Sequence, residues 1–155
     1  MWQRVQTVFL AISIISLVAA IFMPIWVHEA IGQSHRLYAL HYSIIGQNGE
    51  MTRTQYMPYC LTAILAVASI TLSVFGIRKY KDRMLQMKIG ALNSLVLAGV
   101  IASAFIFSNQ LAKSFEGGKL GLGLWLPGIA VLCNVLANRF IRRDEKLVRD
   151  SNRLR

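Results

Sequence analysis

Four stretches of this sequence are long, apolar and free of acidic or basic side chains at their centres, and nothing else in it constrains the fold as strongly. They cover about residues 5–27, 57–77, 85–111 and 122–141, the third with Lys88 near its start. At a rise of about 1.5 Å per residue, about 20 helical residues cross a hydrocarbon core of about 30 Å. Lipid offers no partner to a backbone N–H or C=O, so each stretch must close its hydrogen bonds internally, as a helix. A water-soluble reading fails on surface chemistry. Of the residues, 55% are hydrophobic and only 15% charged, too few to clothe a soluble domain. The first stretch is longer than the apolar part of a signal peptide and has no small-x-small site before Pro24, so it reads as a retained anchor.

The cations give a direction. Arg4, the segment Arg78, Lys79, Lys81, Arg83 and Lys88, and the tail Arg139, Arg142, Arg143, Lys146, Arg149, Arg153 and Arg155 place 13 basic residues on one side. Arg36, Arg53, Lys113 and Lys119 place 4 on the other. Lys and Arg are retained in short cytoplasmic segments, so both chain ends are expected in the cytoplasm. Trp2, Trp26, Tyr59, Tyr80 and Trp125 lie near stretch ends, where an aromatic belt belongs. Pro24, Pro58 and Pro127 fall near the opposite, outer ends, with Pro127 deep enough to bend the fourth helix.

Residues 28–56 form the one sizeable outer loop. Leu37–Ile45 is rich in β-branched and aromatic types, Asn48-Gly49 is a type I′ turn signal, and Met51–Tyr56 is the expected return strand. A lone hairpin is marginal in water, so it must lean on the helices or on a partner. His28, His35 and His41 all lie here. Their spacing matches no ligand pattern, and a metal site needs convergent ligands with support behind them, so no metal and no cofactor is expected. Cys60 and Cys133, far apart inside apolar runs, read as buried thiols.

On the third helix Gly90, Ser94, Ala98 and Ala102, with Gly99 and Ser103 one step round, have the small-xxx-small spacing that lets helices approach closely. Ala66, Ser69 and Ser73 on the second helix and Ala130, Asn134 and Asn138 on the fourth offer matching faces. Asn93, Asn134 and Asn138 are the most polar groups at membrane depth. They read as interhelical hydrogen-bonding groups in preference to a binding patch, because intramembrane functional sites usually hold an ionisable side chain.

Beyond the membrane the fourth helix is expected to continue as a basic tail over residues 142–155. Phe140, Ile141, Leu147, Val148 and Leu154 give an apolar stripe, and Glu145 with Arg149 and Lys146 with Asp150 are spaced four apart. The stripe favours anionic headgroups or a protein partner over nucleic acid, which would need only the cations. There is no Walker loop, HExxH or GxSxG, so no catalytic residue is assigned. GLGLW at residues 121–125 reads as a loop entering the fourth helix.

MWQRVQTVFL, LQMKIGALNSLVL, GLGLWLPGIAVLCNVLANR and the ending IRRDEKLVRDSNRLR together resemble an uncharacterised family of small four-span membrane proteins of the Bacteroidota, domain of unknown function 4293. The resemblance covers most of the chain, most specifically Ala137–Arg155 and more loosely Tyr38–Gly46. It implies an inner-membrane location and no assigned activity.

The expected fold is all-α: a four-transmembrane-helix bundle with a small extracytoplasmic β-hairpin in the first loop and a cytoplasmic helical extension. The expected function is that of a non-enzymatic accessory or interaction subunit that docks partners through its basic tail and outer loop. A small-molecule or lipid transporter acting as an oligomer, and a membrane enzyme with an outer histidine metal site, are the alternatives.

Overall fold

The structure, a computed structural model, describes residues 2–46, 49–79 and 82–153, with side chains described within 5–148. Asn48 and Tyr80, Leu154 and Arg155, and the side chains of Trp2, Arg4, Arg149, Asp150 and Arg153 lie outside what is described.

Four helices carry the apolar stretches: α1 (Trp2–Phe22), α2 (Cys60–Arg78), α3 (Arg83–Ser114) and α4 (Leu122–Arg153). Each holds a segment long and apolar enough to cross a membrane, and the chain is accordingly a membrane protein. α1 packs on α2 and α4, and α3 packs on the same two, so the four close into a ring. Their buried positions recur at alternating steps of three and four. On α3 the alternation runs through Gln86, Gly90, Asn93, Leu97, Val100 and Ala104, with Ser103, Ser108 and Leu111 also buried. On α2 they include Ala66, Ser69, Ser73 and Gly76. That is the heptad seam of helices crossing at a shallow angle.

The seams explain why α1, α2 and α3 show almost no amphipathic pattern. Ser13, Ser69, Ser73, Asn93 and Asn134 are buried, while Ile15, Ile64, Leu95, Phe105 and Leu132 are exposed. Polar side chains turn inward and large apolar ones outward, the reverse of a soluble protein. Lipid is as apolar as leucine, so helices in it associate through close packing and hydrogen bonds, which small and polar residues supply.

The connection between α1 and α2 corrects the expected class. A small hairpin in an all-α protein is not what forms. β1 (Trp26–Ala30), β2 (Gln33–Leu37), β3 (Tyr42–Gly46) and β4 (Met51–Gln55) make an antiparallel meander, and β5 (Lys119–Leu120) joins it. The result is a five-stranded sheet in the order β4-β3-β2-β1-β5. α1 stops at Phe22 where the first apolar stretch was expected to run to Val27. Pro24 cannot continue the backbone ladder, and the chain turns there into β1. The single strand expected over Leu37–Ile45 is broken at Tyr38–His41, where the Tyr38 N–H donates to the His41 carbonyl at 2.8 Å.

One face of the sheet covers the helix ends. Ile25, Trp26, Leu37, Ala39 and Tyr42 form a single core with Ala63 of α2 and Ala104 and Leu111 of α3. The last connection is stitched to the first: Gly121 N–H donates to the Ile25 carbonyl at 2.8 Å, and Gly123 N–H to the Pro24 carbonyl at 3.0 Å. The GLGLW segment, expected as a loop, is therefore helix except for Gly121. Leu122 already begins α4, and the two glycines press backbone on backbone against the α1–β1 corner.

Candidate functional site

Three places concentrate polar chemistry: the helix seam, the sheet face, and the end of the helices that carries the arginines.

In the seam, Asn93 is 1% exposed and Asn134 fully buried. Ser69 Oγ donates to Asn93 Oδ1 at 2.6 Å. Asn93 Nδ2 donates to Ser73 Oγ at 3.0 Å and to Asn134 Oδ1 at 3.1 Å. Asn134 Nδ2 donates in turn to Ser94 Oγ at 2.8 Å and to the Gly90 carbonyl at 3.2 Å. Both amide hydrogens of each asparagine are thus used, and each amide oxygen accepts one bond. A network in which every member is satisfied ties α2, α3 and α4 together and leaves little for a ligand. The remaining space beside it has a volume of about 10 Å³, near the lower limit for one water molecule.

Asn138 does not join the network. It is half-buried over Gly90, where a β-carbon would overlap its amide. Gly90 and Ser94 therefore meet α4, while Gly99 faces Leu65 of α2. Ser103 is buried and accepts a hydrogen bond from Thr62 Oγ1 at 3.1 Å. Ala98 and Ala102 point away from the other helices and are exposed. A helix of 3.6 residues per turn advances about 40° beyond a full turn every four residues, so a four-spaced stripe rotates off the seam. The real seam steps back by three at Asn93 and Val100.

On the sheet, His35 of β2 is buried against the Phe115 ring, with centroids 4.4 Å apart, and its Nδ1 lies 2.6 Å from the Tyr42 hydroxyl. His28 stacks on Trp26 and also faces Phe115. His41 sits apart, against Tyr38 and Tyr56. His28 and His35 are cross-strand neighbours with ring centroids 6.0 Å apart, but His41 does not join them, and among the described residues no three His, Cys, Asp or Glu side chains converge as a metal would need. Burial, then the neighbouring His28, pulls the His35 pKa below 6.5. Burial pushes the Tyr42 phenol upward, with Tyr59 adding to it. The pair is neutral, one proton filling the contact between ring nitrogen and hydroxyl.

The sign for stability follows. Below about pH 6.5 the unfolded chain takes up a proton that the folded site resists, so stability falls with pH through that range. It levels off once His35 itself protonates. Protection factors of β2 and β3 amides, taken relative to the intrinsic exchange rate at each pH, are expected to fall between pH 7.5 and 5.5 in the wild type, and to lose that dependence in His35→Phe. Equal protection at both pH values in the wild type would remove the basis for this expectation.

At the arginine-rich end, Arg83 holds Asp144 of α4, with Nη2–Oδ2 at 3.3 Å and Nη1 donating to the Asp144 carbonyl at 3.1 Å. Sequence reasoning missed this clamp; an acid 61 residues away carries no local signal. Arg139, Arg142, Arg143 and Lys146 are exposed on α4. Arg149, Arg153 and Arg155, expected on the same face, lie outside the described side chains.

No curated protein matches the chain. Residues 2–154 match the profile of the family described as Domain of unknown function (DUF4293), and with the match covering nearly the whole length, the chain belongs to that family.

Proposed function

We propose that this chain is a non-enzymatic inner-membrane protein, oriented with both termini in the cytoplasm, that serves as an accessory subunit. Its partners are proteins engaged by the basic end of α4 and by the sheet. The observation that carries this reading is the closed Asn93–Asn134 network, which occupies the polar groups of the seam with one another. Chemistry or transport would need some of them free toward a cavity. What remains available lies at the two ends. β4 is a sheet edge with all five residues exposed, a row of backbone groups open to strand addition. α4 runs unbroken to Arg153 with charge on its far turns.

Photoreactive residues placed at Lys146 and Arg53 in native membranes test it. Discrete protein adducts at either position are expected, identified by mass spectrometry. Failure to capture protein at both positions, with only lipid adducts formed, would refute the accessory role. Orientation is read separately, in a chain with Cys60 and Cys133 replaced by alanine. A thiol at Arg53 should react with an impermeant reagent in spheroplasts, and one at Lys146 should not.

A further inference from the structure

A furrow of about 510 Å³ lies between α3 and α4 at the arginine-rich end. Its walls are Ala91 and Ser94 on one helix and Val135, Asn138, Arg139 and Arg142 on the other. We propose that this furrow is a binding site for one anionic phospholipid, with the phosphate held by Arg139 and Arg142 and an acyl chain lying along Ala91 and Val135.

The grading of chemistry along α4 supports that occupant. Leu132, Val135, Arg139 and Arg142 follow one another at steps of three, four and three, so they share a helix face. Leu132 and Val135 are exposed apolar residues, and the two arginines one turn apart come next. From Val135 to Arg142 is about 10 Å along the axis, at about 1.5 Å per residue. That is the depth over which a lipid changes from acyl chain to headgroup. On α3 the facing position is only a methyl group, Ala91, so the wall is cut back where a chain would lie. Lys88, exposed and three residues before Ala91, adds a third cation on that helix at the same end.

The polar groups at the mouth are free to act. Asp144, the nearest acid in sequence, is taken by Arg83. Arg139 and Arg142 form no ion pair among the described residues, and the Asn138 amide, between them and the seam, makes no hydrogen bond there. Two guanidinium forks match the oxygens of a phosphodiester, and an amide suits the glycerol ester beside it. Basic pockets between helices at a membrane boundary bind anionic headgroups in this way. This site is independent of the accessory role, because it needs only the helices in lipid.

Native mass spectrometry of the full chain, released from micelles doped with phosphatidylglycerol or phosphatidylcholine, tests the proposal. One phosphatidylglycerol per chain should survive release, with phosphatidylcholine retained far less. Arg139→Gln and Arg142→Gln should each weaken retention about fivefold, and together about 25-fold. Arg139→Lys with Arg142→Lys, which keeps the charge and loses the forks, should fall between the wild type and the double glutamine variant. Ala91→Leu, which fills the furrow without altering charge at an exposed position, should weaken it as strongly as one arginine change. Lys113→Gln with Lys119→Gln, at the sheet end, should change nothing. The site is disproved if the double glutamine variant keeps its lipid, if phosphatidylcholine binds as well, or if millimolar inorganic phosphate displaces the adduct. A dimeric mass in which both copies exclude lipid, lost in Ala91→Leu, would assign the furrow to a second copy of the chain instead.

Discussion

Gly121→Ala is expected to destabilise the protein by about 3 kcal/mol or more, the largest effect of any single methyl group added to this chain. A β-carbon at Gly121 would sit inside the Pro24 carbonyl oxygen, and one at Gly123 would collide with the carbonyls of Met23 and Pro24. In both cases the opposing atoms are backbone, which cannot rotate aside as a side chain can. Relief requires prising α4 away from the α1–β1 corner. That breaks the two hydrogen bonds to Ile25 and Pro24 and withdraws β5 from β1. Trp26 reports the event, being 1% exposed and packed over Gly118. Gly128→Ala is the control. It lies in the same helix with nothing within 4 Å of the added carbon, and gains helix propensity. Thermal unfolding in one detergent, followed by tryptophan emission, should put Gly121→Ala far below the wild type and Gly128→Ala at or above it. If Gly121→Ala melts with the wild type, the corner is not what holds the sheet to the helices.

That corner also shows where the sequence stops being legible. The helices could be read because their signal is one-dimensional: a run of apolar residues long enough for lipid needs no knowledge of its neighbours. Of the expected hairpin, only the pairing of Tyr42–Gly46 with Met51–Gln55 was legible; its first strand was expected from Leu37, and the two strands belong to a five-stranded sheet. β1, β2 and β5 could not be read. Trp26 and Val27 continue the first apolar run, so only the loss of the backbone ladder at Pro24 separates strand from helix. β2 turns His35 and Leu37 inward, but a histidine does not register as a buried residue until Phe115, about 80 residues on, is placed against it. β5 has two residues and no pattern; it is a strand because Trp26 and Val27 lie opposite. Among site residues, the asparagines announced themselves as polar groups in apolar runs. The small-residue stripe was legible only in part, since four-residue spacing matches the seam for a turn or two and then rotates away, leaving Ala98 and Ala102 exposed.

The buried amides set the second large effect. Asn93→Leu is expected to cost about 2–3 kcal/mol, although it replaces a polar side chain in a membrane protein by one that lipid prefers. Three hydrogen bonds are lost with it, and Ser69, Ser73 and the Asn134 oxygen are left without that partner in a buried seam. Single interhelical hydrogen bonds in membranes are worth about 0.6 kcal/mol on average and up to about 1.7. The expected loss is therefore that of several bonds broken together. Asn134→Leu removes the same Asn93 contact and two further bonds, to Gly90 and Ser94, so it should cost a similar amount. Because the asparagines share a bond and belong to one network, the double variant should cost less than the sum, with a coupling of about 0.5–2 kcal/mol. Asn138→Leu is the contrast, an asparagine one turn on that bonds no seam residue, and it should cost well under either. Reversible unfolding of the four variants in mixed micelles measures the cycle. Strict additivity would mean the two amides act separately, each satisfied by its own serines. The seam would then be a set of local contacts, and its polar groups would again be available to the transport reading that the closed network now argues against.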